Sequence, residues 1–235
     1  MFKNKYFAAM GAAFPHTIPI LTGFIFLGMT YGILITTKGF PVWFPILTSI
    51  CVFAGSAEFA AVTYLLGGFD PLSALAMTLM INARHLFYGI SMLEKYKGTG
   101  IKKIYLIFGL CDESFSVNCS AQAPDGVDKG LFMFFVTLLD QLYWIIGCSL
   151  GGIFGSFLTF NTMGLEFVMT AMFVVIFIEQ WLKEKDHTIS VVGLAIPLAC
   201  LIVFGADKFI IPSMLALLGI LALLRAPLEK GGKTA

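Results

Sequence analysis

From Ile18 to Thr37 the chain runs 20 residues without one charged side chain. A helix rises about 1.5 Å per residue, so such a run spans a hydrocarbon core ~30 Å thick. A transmembrane β-strand would alternate apolar and polar residues over about ten positions, and this run does not. Composition extends the point to the whole chain: 58% of the 235 residues are hydrophobic and only 12% are charged. Soluble domains carry roughly twice that fraction of charge. The net charge of +1 excludes a nucleic-acid surface built on bulk basicity. The expectation is an all-α polytopic membrane protein, a single transmembrane domain over residues 1–235. Met1 to Ala13 has too short an apolar run for a cleaved signal.

Eight apolar segments lie between the charges, at about 17–37, 41–66, 71–93, 102–118, 130–157, 164–182, 188–204 and 209–225. Lysine and arginine favour the cytoplasmic side. If 41–66 and 164–182 enter and return, eleven basic residues fall inside, with Lys38, Lys129 and Lys208 outside and Arg84 in the membrane. That gives six full crossings, two re-entrant or broken elements and both termini in the cytoplasm. Cys51 to Phe59 supports the first break, because Gly55-Ser56 and Glu58 interrupt an apolar run; such a break is tolerated where freed backbone lines a protein cavity. The second rests on charge parity alone.

Leu27-Gly28-x3-Gly32 and Leu150-Gly151-x3-Gly155 suggest inverted repeats over about 14–118 and 130–225. With Gly147, these glycines also form small-residue faces that let helices approach closely. Frequent glycine in membrane helices explains the same pattern without either feature.

Charge at membrane depth is expensive, so the few such residues are functional candidates. Glu58 stands beside the break. On a helix, Thr78, Asn82, His85 and Gly89 form one stripe, with Arg84, Tyr88 and Ser91 beside it. A structural histidine and a structural ion pair are the plainer readings of His85 and Glu58. Asp112 and Glu113 fit an interfacial cap as well as substrate or proton handling, and Asp140-Gln141 is equally open. Gly147-Cys148-Ser149-Leu150-Gly151 fits the G-x-S-x-G pattern of serine hydrolases, but only His85, of three histidines, could serve as a base at depth. The five cysteines form no CxxC pair and read as small core hydrophobes; no metal-ligand cluster is present.

Phe53-Ala54-Gly55-Ser56-Ala57-Glu58-Phe59, Asn82-x-Arg84-His85-x2-Tyr88-Gly89, Gly109-Leu110-x-Asp112-Glu113-x-Phe115 and Leu165-x-Phe167…Ala171-x-Phe173 occur in that order. Together they resemble the AzlC-type branched-chain amino acid permeases, the LIV-E exporters, from about Pro15 to the C-terminus. The resemblance implies export of leucine, isoleucine, valine and similar amino acids such as methionine across a bacterial cytoplasmic membrane, with a small AzlD-type membrane subunit, membrane lipid and a possible oligomer as partners. It implies no cofactor and no enzymatic step. Three positions depart from the family pattern: Glu58 replaces a frequent Gln, and Phe26 and Thr170 replace frequent prolines.

A mechanism follows from this resemblance and the residues together. The substrate carboxylate would meet the helix N-terminus at Gly55-Ser56-Ala57, and Arg84 with Tyr88 beside it. The ammonium would go to Glu58, Asn82 or a backbone carbonyl. Glu58, His85, Asp112 and Glu113 are the candidates for coupling to protons. A channel, or a membrane subunit that does not itself transport, is the alternative.

Overall fold

The computed structural model describes residues 2–68, 70–157 and 187–205, with scattered positions between 167 and 182 and between 209 and 220. The described elements are helices. Contacts divide the chain into two units, Met1–Thr170 and Ala171–Ala235.

The first unit is built on two long helices, α1 (Phe2–Thr37) and α7 (Lys129–Phe157). Both are long and apolar enough to cross a membrane. Gly28 faces Gly147 and Cys148, and Gly32 faces Gly151 and Gly152. A Cβ on Gly28 would lie 2.9 Å from the Cys148 nitrogen, and one on Gly147 2.8 Å from the Phe24 and Ile25 carbonyls. Only hydrogen fits at this seam. The glycine faces therefore have a packing cause, and because residue numbers rise together across the seam, the two helices are parallel.

Between them the chain makes two excursions. α2 (Trp43–Cys51) and α3 (Gly55–Gly67) flank a break at Val52–Ala54. The Thr48 hydroxyl meets the Tyr31 phenol at 3.0 Å, Phe53 packs edge-on against Phe24, and Phe59 packs against Tyr31. The chain thus descends along α1 to the level of Phe24 and climbs back. The break falls two to three residues before the expected Gly55-Ser56 step. Its pivot is Phe53, at φ +46°, a left-handed conformation that costs a bulky residue about 1–2 kcal/mol.

α4 (Pro71–Met92) then runs the other way, bringing Met92 and Tyr96 into one cluster with Ala13, Phe132 and Met133. α5 (Lys102–Phe108) and α6 (Asp112–Ser120) follow. Here the structure corrects the expectation of one crossing helix over 102–118. Tyr105 reaches Gln141 of α7, whereas Asn118 turns back to Thr137 and Tyr96 and Lys95 caps the Cys119 carbonyl at the end of α6. Cys111 is the cause. Its Sγ accepts from the Ser114 N–H while Ser114 Oγ accepts from the Cys111 N–H at 2.9 Å, a reciprocal cap that starts a new helix.

The outer ends of α5 and α6 therefore share one side. Lys102 pairs with Asp128 at 3.7 Å, and Lys129 lines a pocket with Lys95, Lys97 and Lys102. Lys129 belongs with the 95–103 cluster and not opposite it. The orientation of the repeats also departs from expectation: the helices that open the two halves, α1 and α7, point the same way. Opposite directions are seen instead between α1 and α4, each followed by a broken pair of short helices that turns back on itself.

In the second unit, the helix Thr188–Phe204 contains Pro197 and matches the apolar segment 188–204. The segments 164–182 and 209–225, with the expected second re-entrant element, lie largely outside the described residues.

Candidate functional site

The two breaks meet. The position a Cβ would take on Gly109 is 3.8 Å from the Phe53 ring. Beside this meeting point is a cavity of about 360 Å³, lined by Val52, Phe53 and Ala54 of the first break, Leu110 of the second, and Asn82 and His85 of α4. The expected stripe of α4 is thus split by environment. Asn82, His85 and Gly89 line the cavity, while Thr78 lines a separate one with Ala57 and Tyr64. His85 Nδ1 lies 3.3 Å from the Asn82 carbonyl, and its ring packs edge-on against Tyr88.

Arg84 and Tyr88 face the other way and converge on Asp112. Arg84 Nη1 is 2.8 Å from Asp112 Oδ2, Tyr88 donates to Asp112 Oδ1 at 2.8 Å, and Arg84 Nη2 donates to Ser56 Oγ at 3.0 Å. One guanidinium therefore ties α3, α4 and α6 together. The side chains of Arg84 and Asp112 are 35% and 36% exposed, so the network is partly open. Tyr88 also stacks on Phe115, with ring centroids 4.3 Å apart.

Glu58 is elsewhere. It is 3% exposed and does not line the cavity. Its Oε2 accepts from the Ala54 N–H at 3.2 Å and from Trp144 Nε1 at 2.9 Å. The carboxylate thus caps its own helix and pins α3 to α7. Oε1 is buried without a hydrogen-bond partner; the Thr48 hydroxyl beside it is engaged with Tyr31 and the Pro45 carbonyl. Gly55 opens α3, where a Cβ would press on the Trp144 ring at 3.2 Å. Of the three N–H groups expected to be free, that of Ala57 bonds the Ala54 carbonyl at 2.7 Å, whereas Gly55 and Ser56 make no backbone bond among the described residues.

Glu113 interacts electrostatically with Asp112 and Arg84 and with Asp140. The structure adds a residue that the sequence did not select, Trp144, and gives a partner to one that it left open, Gln141. Trp144 is the partner of Glu58. Gln141 bridges the Tyr105 hydroxyl and the Ile50 carbonyl. Both project from the α7 face that begins at Asp140, which was the available signal. Ser149 bonds the Ile145 carbonyl within its own helix, so it has no base of the kind a nucleophile needs. Among the described residues no group of His, Cys, Asp and Glu side chains could hold a metal ion.

Apolar helices, two of them long enough to cross a membrane, with two backbone breaks and a cavity beside their meeting point, are the features of a helical membrane protein. The model of the AzlC protein family matches residues 19–158, and the chain belongs to that family. It is 61% identical, over 97% of its length and 90% of the relative's, to the branched-chain amino acid transport protein AzlC of Bacillus subtilis. It is 47% identical, over 97% of its length and 93% of the relative's, to a Haemophilus influenzae protein described as an uncharacterized membrane protein. The inner membrane protein YgaZ of Escherichia coli is 23% identical over 74% of each chain. No solved structure matches the chain.

Proposed function

We propose that this chain is a permease that exports branched-chain amino acids (leucine, isoleucine and valine), and with them similar apolar amino acids such as methionine, across the bacterial cytoplasmic membrane by proton-coupled alternating access. The observation that carries the reading is the cavity between the two breaks. It has an apolar wall from Phe53, Leu86 and Leu110 and polar groups from Asn82 and His85, a combination suited to a zwitterion with an aliphatic side chain. The free N–H groups of Gly55 and Ser56 next to Ala54 take the carboxylate. Asn82 and the break carbonyls take the ammonium. The guanidinium of Arg84, through Ser56, holds the α3 N-terminus in position, and Tyr88 and Asp112 hold Arg84. Glu58, His85, Asp112 and Glu113 are the proton-coupling groups.

In this reading the chain is one transmembrane domain with both termini in the cytoplasm, working with a small AzlD-type subunit. α1, α4 and α7 cross; the α2–α3 pair dips in from outside and the α5–α6 pair from the cytoplasm. With Lys129 also inside, the inward excess of basic residues grows. The test is counterflow of radiolabelled leucine in proteoliposomes, with and without the small subunit. Saturable counterflow that falls at least tenfold in Arg84→Ala supports the reading. Non-saturable flux indicates a channel, and no flux under either condition indicates a subunit that does not transport.

A further inference from the structure

Asp140 makes no hydrogen bond and no ion pair among the described residues. It is wholly buried in α7, and neither carboxyl oxygen has a hydrogen-bond partner. It lies on the face that α7 turns to both breaks. Thr137, one turn before it, accepts from the Asn118 amide and packs its methyl on Gly109; Gln141, next to it, holds the α2 carbonyl of Ile50. The titratable groups that face it are Glu113 of α6, Cys111 at the α6 cap and Tyr105 of α5, with Glu58 of α3 one turn further along through Trp144. Among the described residues the charged group that acts on it is thus acidic, and no ion pair involving it is formed. A bare carboxylate in such a place would be a buried charge with nothing to balance it, at a cost of several kcal/mol. A proton removes that charge.

Beyond Asp140 the acids continue outward. Glu113 is the acid that acts electrostatically on Asp140, and it interacts in turn with Asp112 and Arg84, whose side chains are about one-third exposed. We infer that Asp140 is a proton-binding site of the transport cycle, loaded while the breaks are closed and discharged through Glu113 to the Arg84–Asp112 network when they part. When the breaks part, water admitted between the two carboxyl groups carries the proton: the O–H bond at Asp140 breaks as one forms to that water, which gives a proton of its own to the Glu113 carboxylate, and Glu113 then yields it to water beside Asp112; no electron is exchanged. The inference rests on the proton-coupled reading above but selects a residue outside the cavity.

Two measurements on the purified protein in proteoliposomes, with the small subunit where counterflow needs it, decide the matter. Leucine counterflow reports exchange without a driving force, and a pH jump reports uphill transport. In Asp140→Asn we expect counterflow within threefold of the parent and at least a tenfold loss of pH-driven accumulation. Glu113→Gln slows pH-driven accumulation without abolishing it. Infrared spectroscopy, which needs no transport, is expected to show the C=O stretch of a protonated carboxylic acid that disappears in Asp140→Asn. Retained pH-driven accumulation in that variant, loss of counterflow with it, drive by sodium instead of protons, or an unchanged carboxyl band each overturns the inference. Where a pH gradient does not drive the parent protein, proton coupling itself fails and the inference with it; where it drives the parent and Asp140→Asn alike, only the assignment to Asp140 fails.

Discussion

Replacing Trp144 with Phe tests whether the Glu58–Trp144 contact holds α3 against α7. Trp144 is 3% exposed and Glu58 is 3% exposed, so water cannot replace the 2.9 Å bond between them. A hydrogen bond to a charged group contributes about 1.5–3 kcal/mol, and one between neutral groups about 0.5–1.5 kcal/mol. The substitution also removes ring atoms that pack on Gly55, Phe24 and Tyr31, for which roughly 1–2 kcal/mol is reasonable given that complete truncation to Ala costs about 3–5 kcal/mol. Trp144→Phe is therefore expected to destabilise by ~3–4 kcal/mol, combining both losses. The two contributions separate in a double-mutant cycle with Glu58→Gln. The Gln carbonyl still accepts from Trp144 and its NH₂ takes the place of the unpartnered Oε1, so the packing loss persists while the hydrogen-bond loss shrinks. Equilibrium unfolding in mixed micelles should show a coupling energy of about 1–1.5 kcal/mol. Additivity within about 0.5 kcal/mol would show that the two side chains touch without holding the helices together.

At the glycine seam, Gly32→Val and Gly151→Val should each abolish the folded protein, as judged by monodisperse yield in detergent, because a Cβ there meets backbone on the opposite helix. Gly11→Ala and Gly23→Ala, which face open space, should raise the unfolding temperature slightly through helix propensity worth roughly 0.5–1 kcal/mol. Cys111→Ala should lower stability by about 0.5–2 kcal/mol through loss of the α6 cap, and Cys111→Ser should restore it. Single cysteines placed at Thr99 and Asp125 should label from the same side of the membrane, and one at Gly67 from the other. Labelling of 99 and 125 from opposite sides would contradict the returning α5–α6 pair.

Local chemistry made much of this legible in the sequence. The uncharged run of α1 and the interruption around Gly55 announced themselves, and the glycine spacing marked the α1–α7 seam. The polar face of α4 was also visible, because Asn82, Arg84, His85 and Tyr88 have no apolar reading. What escaped was set by register between distant segments. Glu58 and Trp144 are 86 residues apart, and nothing in either segment says which turn of α7 lies behind α3. The second break was hidden for a different reason. Cys111 reads as a core hydrophobe, and its pairing with Ser114 as a reciprocal cap is an unusual chemistry for that role. With the cap unrecognised, Asp112 and Glu113 read as an interfacial cap or a proton-handling pair near the end of a crossing helix, when they are the first turn of a new one.

The seam between α1 and α7 also says what can move. Backbones in contact through interdigitated glycines cannot slide by less than a full helical turn without collision, since every intermediate register drives a side chain into a main chain. The pair is a fixed post. Ser56, Arg84 and Asp112 belong to three other helices joined by a partly exposed guanidinium, with Tyr88 also holding Asp112, a joint that solvent can loosen. Any motion that exposes the site alternately to the two sides must therefore swing the half-helices and α4 about that post, with Arg84 as the latch.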